Sequence, residues 1–255
     1  MEKILVHTRC GLGDQIICNG LINHWSENKF VYLICRPFTL ATLTCLYKDN
    51  PNVELRTIRS LELGVGHDEE VQALADELNV ESIGIATHHV ILARYQECMY
   101  DANIMKFMNG QIHDWARIPF GYRYSKFQLP KEIAGRQSLY NKLKPSRKYA
   151  LLHTEGTSGD MFDFIEWDNY IDPNLHRIRI LPETNNLLDW IDLIINAEEI
   201  HCVPSGPFHF IDSILPLVKA KKFFHNSRSG TNFNPNNEYN QHCWTVIEYD
   251  KKTSV

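Results

Sequence analysis

Short apolar runs alternate with amphipathic stretches along the first hundred residues. Strands are predicted at residues 3–7, 30–35, 53–58 and 83–86, and helices between and after them at residues 14–25, 38–47, 68–78 and 92–108. The unbroken run Ile4, Leu5 and Val6 is typical of a strand buried on both faces of a parallel sheet. The alternation of strands and helices predicts a doubly wound α/β domain.

This alternation weakens after about residue 109 and resumes near residue 149. Residues 113–148 contain Pro119, Pro130 and Pro145 among many charges, and they predict an interdomain connection with a helix at 133–143. Further elements are predicted at residues 149–153, 165–170, 177–181, 185–196, 200–203, 206–215, 220–225 and 244–249. We therefore predict an N-terminal domain over 1–130, a linker over 131–148 and a second α/β domain over 149–255.

Composition narrows the class of protein. The net charge of −5 and the pI of about 6.2 offer no electrostatic basis for binding nucleic acid. The seven cysteines are scattered, odd in number and without a Cys-x-x-Cys pair, which is typical of reduced core thiols in a cytoplasmic protein. The apolar start is too short for a signal peptide, and no segment approaches the ~18 apolar residues of a membrane span.

The stretch over residues 199–217 predicts a buried strand, a tight Ser-Gly-Pro loop and a helix. We expect Ser205 to cap this helix and Pro207 to occupy its first turn. Such a junction directs backbone N–H groups and the positive end of a helix dipole at one point, which predicts an anion site for a diphosphate. An ordinary strand–helix turn is the alternative interpretation.

The turn Gly11-Leu12-Gly13 after the first strand could also approach a phosphate closely. A third glycine at the dinucleotide spacing is missing, and the second strand ends in Cys35-Arg36-Pro37 without an acidic residue for a ribose. These features argue against a nicotinamide enzyme. The same turn is similar to that of S-adenosylmethionine enzymes, which usually carry an acidic residue where this chain has His7.

Two motifs together resemble one family. Ile4-Leu5-Val6 followed by Gly13-Asp14 and a helix, and Ser205-Gly206-x-x-His209, resemble the lipopolysaccharide heptosyltransferases, which use ADP-heptose and have the GT-B fold. The resemblance implies two Rossmann-like domains facing across a cleft. It also implies an inverting, metal-independent glycosyltransferase that moves a sugar from a nucleotide-diphosphate donor to a glycan or lipid-linked acceptor, compatible with peripheral membrane contact.

The resemblance also implies roles for individual residues. Asp14 would be the general base, although Asp before a helix is also a preferred N-cap. The donor diphosphate would be held by Ser205, Gly206, Pro207, Phe208 and His209, together with His153 and Thr154. The cleft would also include Arg9, Gly11, Gly13 and Gln15. Neither a metal nor another cofactor is expected.

Other readings stay open. Pro204 stands where the family has an acidic residue, which favours a non-catalytic protein that binds a sugar nucleotide or glycan on the same fold. A methyltransferase that uses S-adenosylmethionine is the third alternative. His88-His89 lacks a third ligand at a spacing suited to zinc, and Asp160 and Asp163 are expected to be solvated loop residues.

Overall fold

The computed structural model describes residues 1–7, 11–58, 67–80, 82–87, 99–104, 117–119, 121–143, 147–155, 167–180, 184–226, 235–238 and 243–249. The chain divides into two compact units, Met1–Ile133 and Ala134–Val255. The stretch predicted as a linker contains a helix that belongs to the second unit. Each unit is built on its own sheet, which confirms the predicted α/β class.

The first unit contains a six-stranded sheet among the described residues. In chain order the strands are β1 (Glu2–His7), β2 (Lys29–Cys35), β3 (Val53–Thr57), β4 (Ser82–Thr87), β5 (Met99–Ile104) and β6 (Arg117–Pro119). Their spatial order is β3-β2-β1-β4-β5-β6, and the first four run parallel. Ile4, Leu5 and Val6 of the central strand β1 are at most 1% exposed, as the unbroken apolar run predicted.

The stretches predicted as helices over residues 38–47 and 68–78 are helical, the one over 14–25 forms two helices, and one helix of this unit was not predicted. The helices are α1 (Leu12–Ile17), α2 (Asn19–Ser26), α3 (Leu40–Tyr47, preceded by a 3₁₀ turn at Pro37–Thr39), α4 (His67–Leu78) and α5 (Tyr122–Ser125). Helix α4 covers one face of the sheet, where Val71 and Ala75 pack in a cluster with Leu5, Ile34 and Ile83. The apolar stripe of α4 therefore closes a core over three neighbouring strands.

The prediction of a helix over residues 92–108 is wrong for its described part. Residues 99–104 form β5, which pairs antiparallel with β4. Strand β6 pairs in turn with β5, within the stretch predicted as an interdomain connection. Apolar spacing alone does not separate a short strand from a helix, and here pairing with a neighbouring strand decides. Pro119 ends an edge strand, where the missing N–H is tolerated.

Buried amides attach the segment 121–128 to α2. Asn23 Nδ2 donates to Asn19 Oδ1 (2.9 Å) and to the carbonyl of Lys126 (3.1 Å), and the Gln128 N–H donates to Asn19 Oδ1 (3.1 Å). Gly20 lies so close to this segment that an added Cβ would sit 2.0 Å from the Tyr122 carbonyl oxygen. Only glycine permits this approach of two backbones.

The second unit contains five parallel strands in its described part. They are β7 (Tyr149–His153), β8 (His176–Arg179), β9 (Glu199–Cys202), β10 (Lys221–Asn226) and β11 (Thr245–Glu248), in the spatial order β11-β10-β9-β7-β8. The helices are α6 (Ala134–Leu143), α7 (Ile191–Ile195), α8 (Gly206–Ser213) and α9 (Pro235–Glu238), with 3₁₀ turns at Trp167–Asn169, Leu187–Trp190 and Leu215–Leu217. All residues of β7 and β9 are buried, which identifies the two strands as the centre of the sheet.

The helix predicted over residues 185–196 begins later and in another form. Its first turn, Leu187–Trp190, is 3₁₀, and the α-helical part is α7. The Asn186 side chain accepts a hydrogen bond from the Leu188 N–H (3.1 Å), so the element starts at a capping asparagine.

Two further findings concern composition. The five described cysteines are free thiols, three of them buried, and burial raises the pKa of Cys35 to about 11. Within the described ranges, we find no helix with the length and apolarity needed to cross a membrane.

Candidate functional site

The strand order of the second unit reverses between β7 and β9. The two strands are neighbours, with His153 beside Cys202, and the Val203 N–H donates to the His153 carbonyl oxygen (3.3 Å). The connections from these strands leave their carboxyl ends in opposite directions across the sheet. In doubly wound sheets a ligand binds in the crevice that such a switch point creates. His153, Thr154 and the loop 203–205 all lie at this edge.

The loop after β9 opens directly into α8. Ser205 holds the N-cap position in an extended conformation, and Pro207 lies in the first turn. The prediction that the Ser205 side chain caps the helix is wrong, since its hydroxyl makes no capping hydrogen bond. It lies instead 2.8 Å from His153 Nδ1 and 3.1 Å from the Val203 carbonyl oxygen. The first turn of α8 therefore keeps its N–H groups uncapped by this side chain.

His153 is buried against this loop, with 7% of its surface exposed. Burial lowers the pKa of its imidazole to about 4, so the ring is neutral at pH 7. Thr154 follows it at the end of β7 and is also buried. The structure thus brings His153, which directly precedes Thr154, into contact with Ser205, 52 positions later in the sequence.

The remaining predicted donor residues differ in what they present. Phe208 is fully buried, and its ring packs on Phe224 and Trp244, with centroids 4.8 and 4.9 Å away. Its side chain therefore belongs to the core, and a ligand could meet only its backbone. His209 and Pro207 are half-buried on the same turn. Gly206 is buried at the first position of the helix.

The candidate residues of the first unit follow β1, where that sheet also reverses its strand order. Gly13, Asp14 and Gln15 lie in α1, whose N-cap position is Gly11. Asp14 is therefore a first-turn residue and not the N-cap, and its half-buried carboxylate lies near the positive end of the helix. Gln15 is 1% exposed, and neither atom of its amide has a hydrogen-bond partner within the described residues.

Several predicted positions lie outside the described residues. They are Arg9, named for the cleft, and His88, His89, Asp160 and Asp163. In the part of the chain that the structure describes, no three His, Cys, Asp or Glu side chains are grouped so that they could hold a metal ion.

Sequence reasoning missed a buried polar chain in the second unit. His201 Nδ1 lies 3.0 Å from His225 Nε2, and His225 Nδ1 contacts the Tyr249 hydroxyl. At the other end, His201 Nε2 lies 3.6 Å from Glu199 Oε2, while Lys221 Nζ lies 3.4 Å from Glu199 Oε1. The only signal in the sequence is one histidine in each of the two strands. Their contact depends on the β9–β10 register, which pairs His201 with Phe223.

The chain of rings is electrically neutral near pH 7. Burial lowers the pKa of His201 to about 4 against the opposing attraction of Glu199, and burial with the neighbouring His201 lowers that of His225 to about 3. Trp167 packs on His225 with ring centroids 4.4 Å apart, and Phe223 stacks on His201 at the same distance. These aromatic rings keep water from the pair.

No protein-family model and no curated protein matches the sequence. Among solved structures, the chain is similar to the E. coli heptosyltransferase WaaC with ADP-2-deoxy-2-fluoro heptose. The TM-score is 0.48 at 12% identity, and the match covers 96% of this chain and 92% of that chain. That protein carries the name of the family that the two sequence motifs resemble. At this identity the likeness assigns no role to any residue.

Proposed function

We propose that the chain is a glycosyltransferase that moves a sugar from a nucleotide-diphosphate donor to a hydroxyl group of a glycan or lipid-linked acceptor. We further propose that the transfer inverts the anomeric centre and uses no metal. One observation carries the proposal. The edge where β7 and β9 end gathers His153, Thr154 and the opening turn of α8 at the switch point of a doubly wound sheet.

The chemistry of the donor side supports this assignment. The leaving nucleotide diphosphate gains negative charge as the glycosidic bond breaks, so donors aimed at it stabilise the transition state more than the ground state. The first turn of α8 offers the N–H group of Gly206 and the positive end of the helix dipole, and the Ser205 side chain does not cap it. His209 on the same turn can donate to a phosphate oxygen.

Asp14 is proposed as the general base that takes the proton of the acceptor hydroxyl. It is half-buried and carries a carboxylate in the first turn of α1, at the switch point of the first unit.

Transfer or donor hydrolysis by the purified chain tests the proposal, with the ADP-, GDP-, UDP- and TDP-sugars as donors. Asp14→Asn should lower turnover about 100-fold or more while donor binding persists. Asp76→Asn, which changes an exposed carboxylate on α4, is the matched control and should keep full turnover. Equal turnover of Asp14→Asn and the parent chain would remove Asp14 from the reaction.

A binding protein on the same fold is the second candidate, favoured by Pro204 where the resembled family has an acidic residue. Titration calorimetry separates the two candidates. A sugar nucleotide that binds the chain but is neither hydrolysed nor transferred, with any of a panel of glycan acceptors, would establish the binding protein and refute the enzyme.

A further inference from the structure

Ser205 and His153 form a buried, hydrogen-bonded pair of side chains. The serine oxygen lies 2.8 Å from His153 Nδ1 and 3.1 Å from the carbonyl oxygen of Val203, and the two side chains are 5% and 7% exposed. The backbone bond from Val203 to His153 holds the two strand ends in this register. The pair is thus fixed by the central strands of the sheet and not by a surface loop alone.

The serine hydroxyl has one proton, so it can donate to only one of its two neighbours. If it donates to His153 Nδ1, the Val203 carbonyl loses this partner and the pair contains one hydrogen bond. If Nδ1–H donates to the serine oxygen, the hydroxyl is free to donate to Val203, and the pair contains two. A buried polar group without a hydrogen-bond partner destabilises a protein by more than a typical hydrogen bond stabilises it. The second arrangement is therefore the more stable one.

This arrangement determines what His153 offers a ligand. With its proton on Nδ1, the neutral ring carries a lone pair on Nε2. Within the described residues, the hydrogen bond of this ring is the one at Nδ1. Nε2 is the ring nitrogen left for a ligand, and His153 keeps 7% of its surface exposed. A lone pair repels the oxygens of a phosphate, which are themselves acceptors. The atom therefore suits an O–H donor of a ligand and not its diphosphate.

We propose that His153 binds a hydroxyl group of the sugar nucleotide through Nε2 as hydrogen-bond acceptor, and that Ser205 is the positioning residue that sets its tautomer. This inference rests on the proposed function and revises the diphosphate contact that the sequence resemblance implied for both side chains. The hydroxyl belongs either to the ribose or to the transferred sugar, which present the same chemistry to the ring.

The tautomer is measured first, on the ligand-free protein. Long-range ¹H–¹⁵N correlation of the ¹⁵N-labelled chain should show His153 protonated at Nδ1 and unprotonated at Nε2 at pH 7.5. Ser205→Ala should shift the proton towards Nε2, and Ser205→Thr, which keeps a hydroxyl, should preserve the tautomer. A parent spectrum with Nε2 protonated, or a tautomer indifferent to Ser205→Ala, overturns the inference.

Ligand binding then identifies the group that His153 recognises. The parent chain and His153→Phe are titrated with ADP, GDP, UDP and TDP, their sugars, the 2′- and 3′-deoxynucleotides and inorganic pyrophosphate. His153→Phe should bind the preferred sugar nucleotide about tenfold more weakly, the loss of one hydrogen bond, and pyrophosphate unchanged. If His153 contacts the ribose, His153→Phe should lose affinity for the nucleoside diphosphate but not for one of its deoxy analogues. If His153 contacts the transferred sugar, the variant should lose affinity only for the sugar nucleotide.

The failures are distinguishable. The inference about His153 is refuted if His153→Phe binds the sugar nucleotide as tightly as the parent chain does. It is also refuted if the variant loses affinity for pyrophosphate to the same extent as for the sugar nucleotide. In both cases the proposed function stands. If the parent chain binds none of these nucleotides or sugar nucleotides, both the proposed function and the inference about His153 are refuted. Ser205→Ala retains the ring but removes the hydroxyl that sets its tautomer and the bond to Val203, so it provides a second variant should His153→Phe not fold.

Discussion

Acid should destabilise the second unit through the buried pair His201 and His225. Both rings are fully buried and neutral, with pKa values lowered from 6.5 to about 4 and about 3. In the unfolded chain the same rings take up protons near their ordinary pKa. Above that value both states are neutral and pH has no effect. Below it the unfolded state binds protons that the folded state refuses, so stability falls as pH falls.

The size of the effect follows from the pKa difference. At pH 5.5, one pH unit below the ordinary pKa of 6.5, each buried ring lowers the free energy of unfolding by about 1.4 kcal/mol. His153, whose folded pKa is about 4, adds a third such contribution. Between pH 8 and pH 5.5 the free energy of unfolding should therefore fall by about 4 kcal/mol, a large share of the 5–15 kcal/mol typical of folded proteins. The decline should continue towards pH 4.

Urea denaturation at pH 8.0 and 5.5, followed by circular dichroism, measures this difference. In His225→Gln, the two amide atoms can replace the ring nitrogens towards His201 and Tyr249, but the side chain does not titrate. The fall should therefore shrink by about 1.4 kcal/mol. The exposed His176, changed to glutamine, is the control and should leave the fall unchanged. A parent chain equally stable at both pH values, or a variant His225→Gln with the parent's full pH dependence, would refute the reasoning.

Two further predictions concern the first unit, and both are measured by urea denaturation at pH 7.5. Gly20→Ala should lower the free energy of unfolding by about 2 kcal/mol or more, because its Cβ would overlap the Tyr122 carbonyl. Gly121→Ala is the control: the space around its Cβ is open, so its free energy of unfolding should stay within about 0.5 kcal/mol of the parent. Gln15→Met should raise the free energy of unfolding by about 1 kcal/mol, because it removes a buried amide that has no partner within the described residues. A loss of stability in Gln15→Met would show that the amide is satisfied in solution.

The central strands were predictable because a strand buried on both faces has to be apolar throughout. Ile4, Leu5 and Val6 show this pattern, and the strands found around them begin and end within two residues of the predicted limits. Strand β5 was not predictable in the same way. Its sequence, Met-Tyr-Asp-Ala-Asn-Ile, has no strong preference, and its state depends on antiparallel pairing with β4, which local sequence does not encode.

The candidate site was predictable at the level of backbone and not of side chains. A strand, a Ser-Gly-Pro loop and a helix with regular apolar spacing can be recognised locally, and the loop and α8 lie where they were expected. The hydrogen bonds of Ser205 were not predictable, because a serine at an N-cap position normally turns towards the helix. Its hydroxyl points away from the helix because two hydrogen-bond partners, the ring nitrogen of His153 and the carbonyl oxygen of Val203, lie on the other side.

The contact between Ser205 and His153 connects residues that are 52 positions apart, and it depends on the register of β7 against β9. A shift of that register by one residue would turn His153 to the opposite face of the sheet and leave the serine to cap α8. The same two residues would then present an anion site made of a cap and a helix end alone. With the observed register, the Ser205 side chain does not cap the helix, and in the proposed tautomer the histidine is an acceptor. We therefore propose a sugar nucleotide as the ligand, because it carries phosphate oxygens for the helix end and hydroxyl donors for the histidine in one molecule.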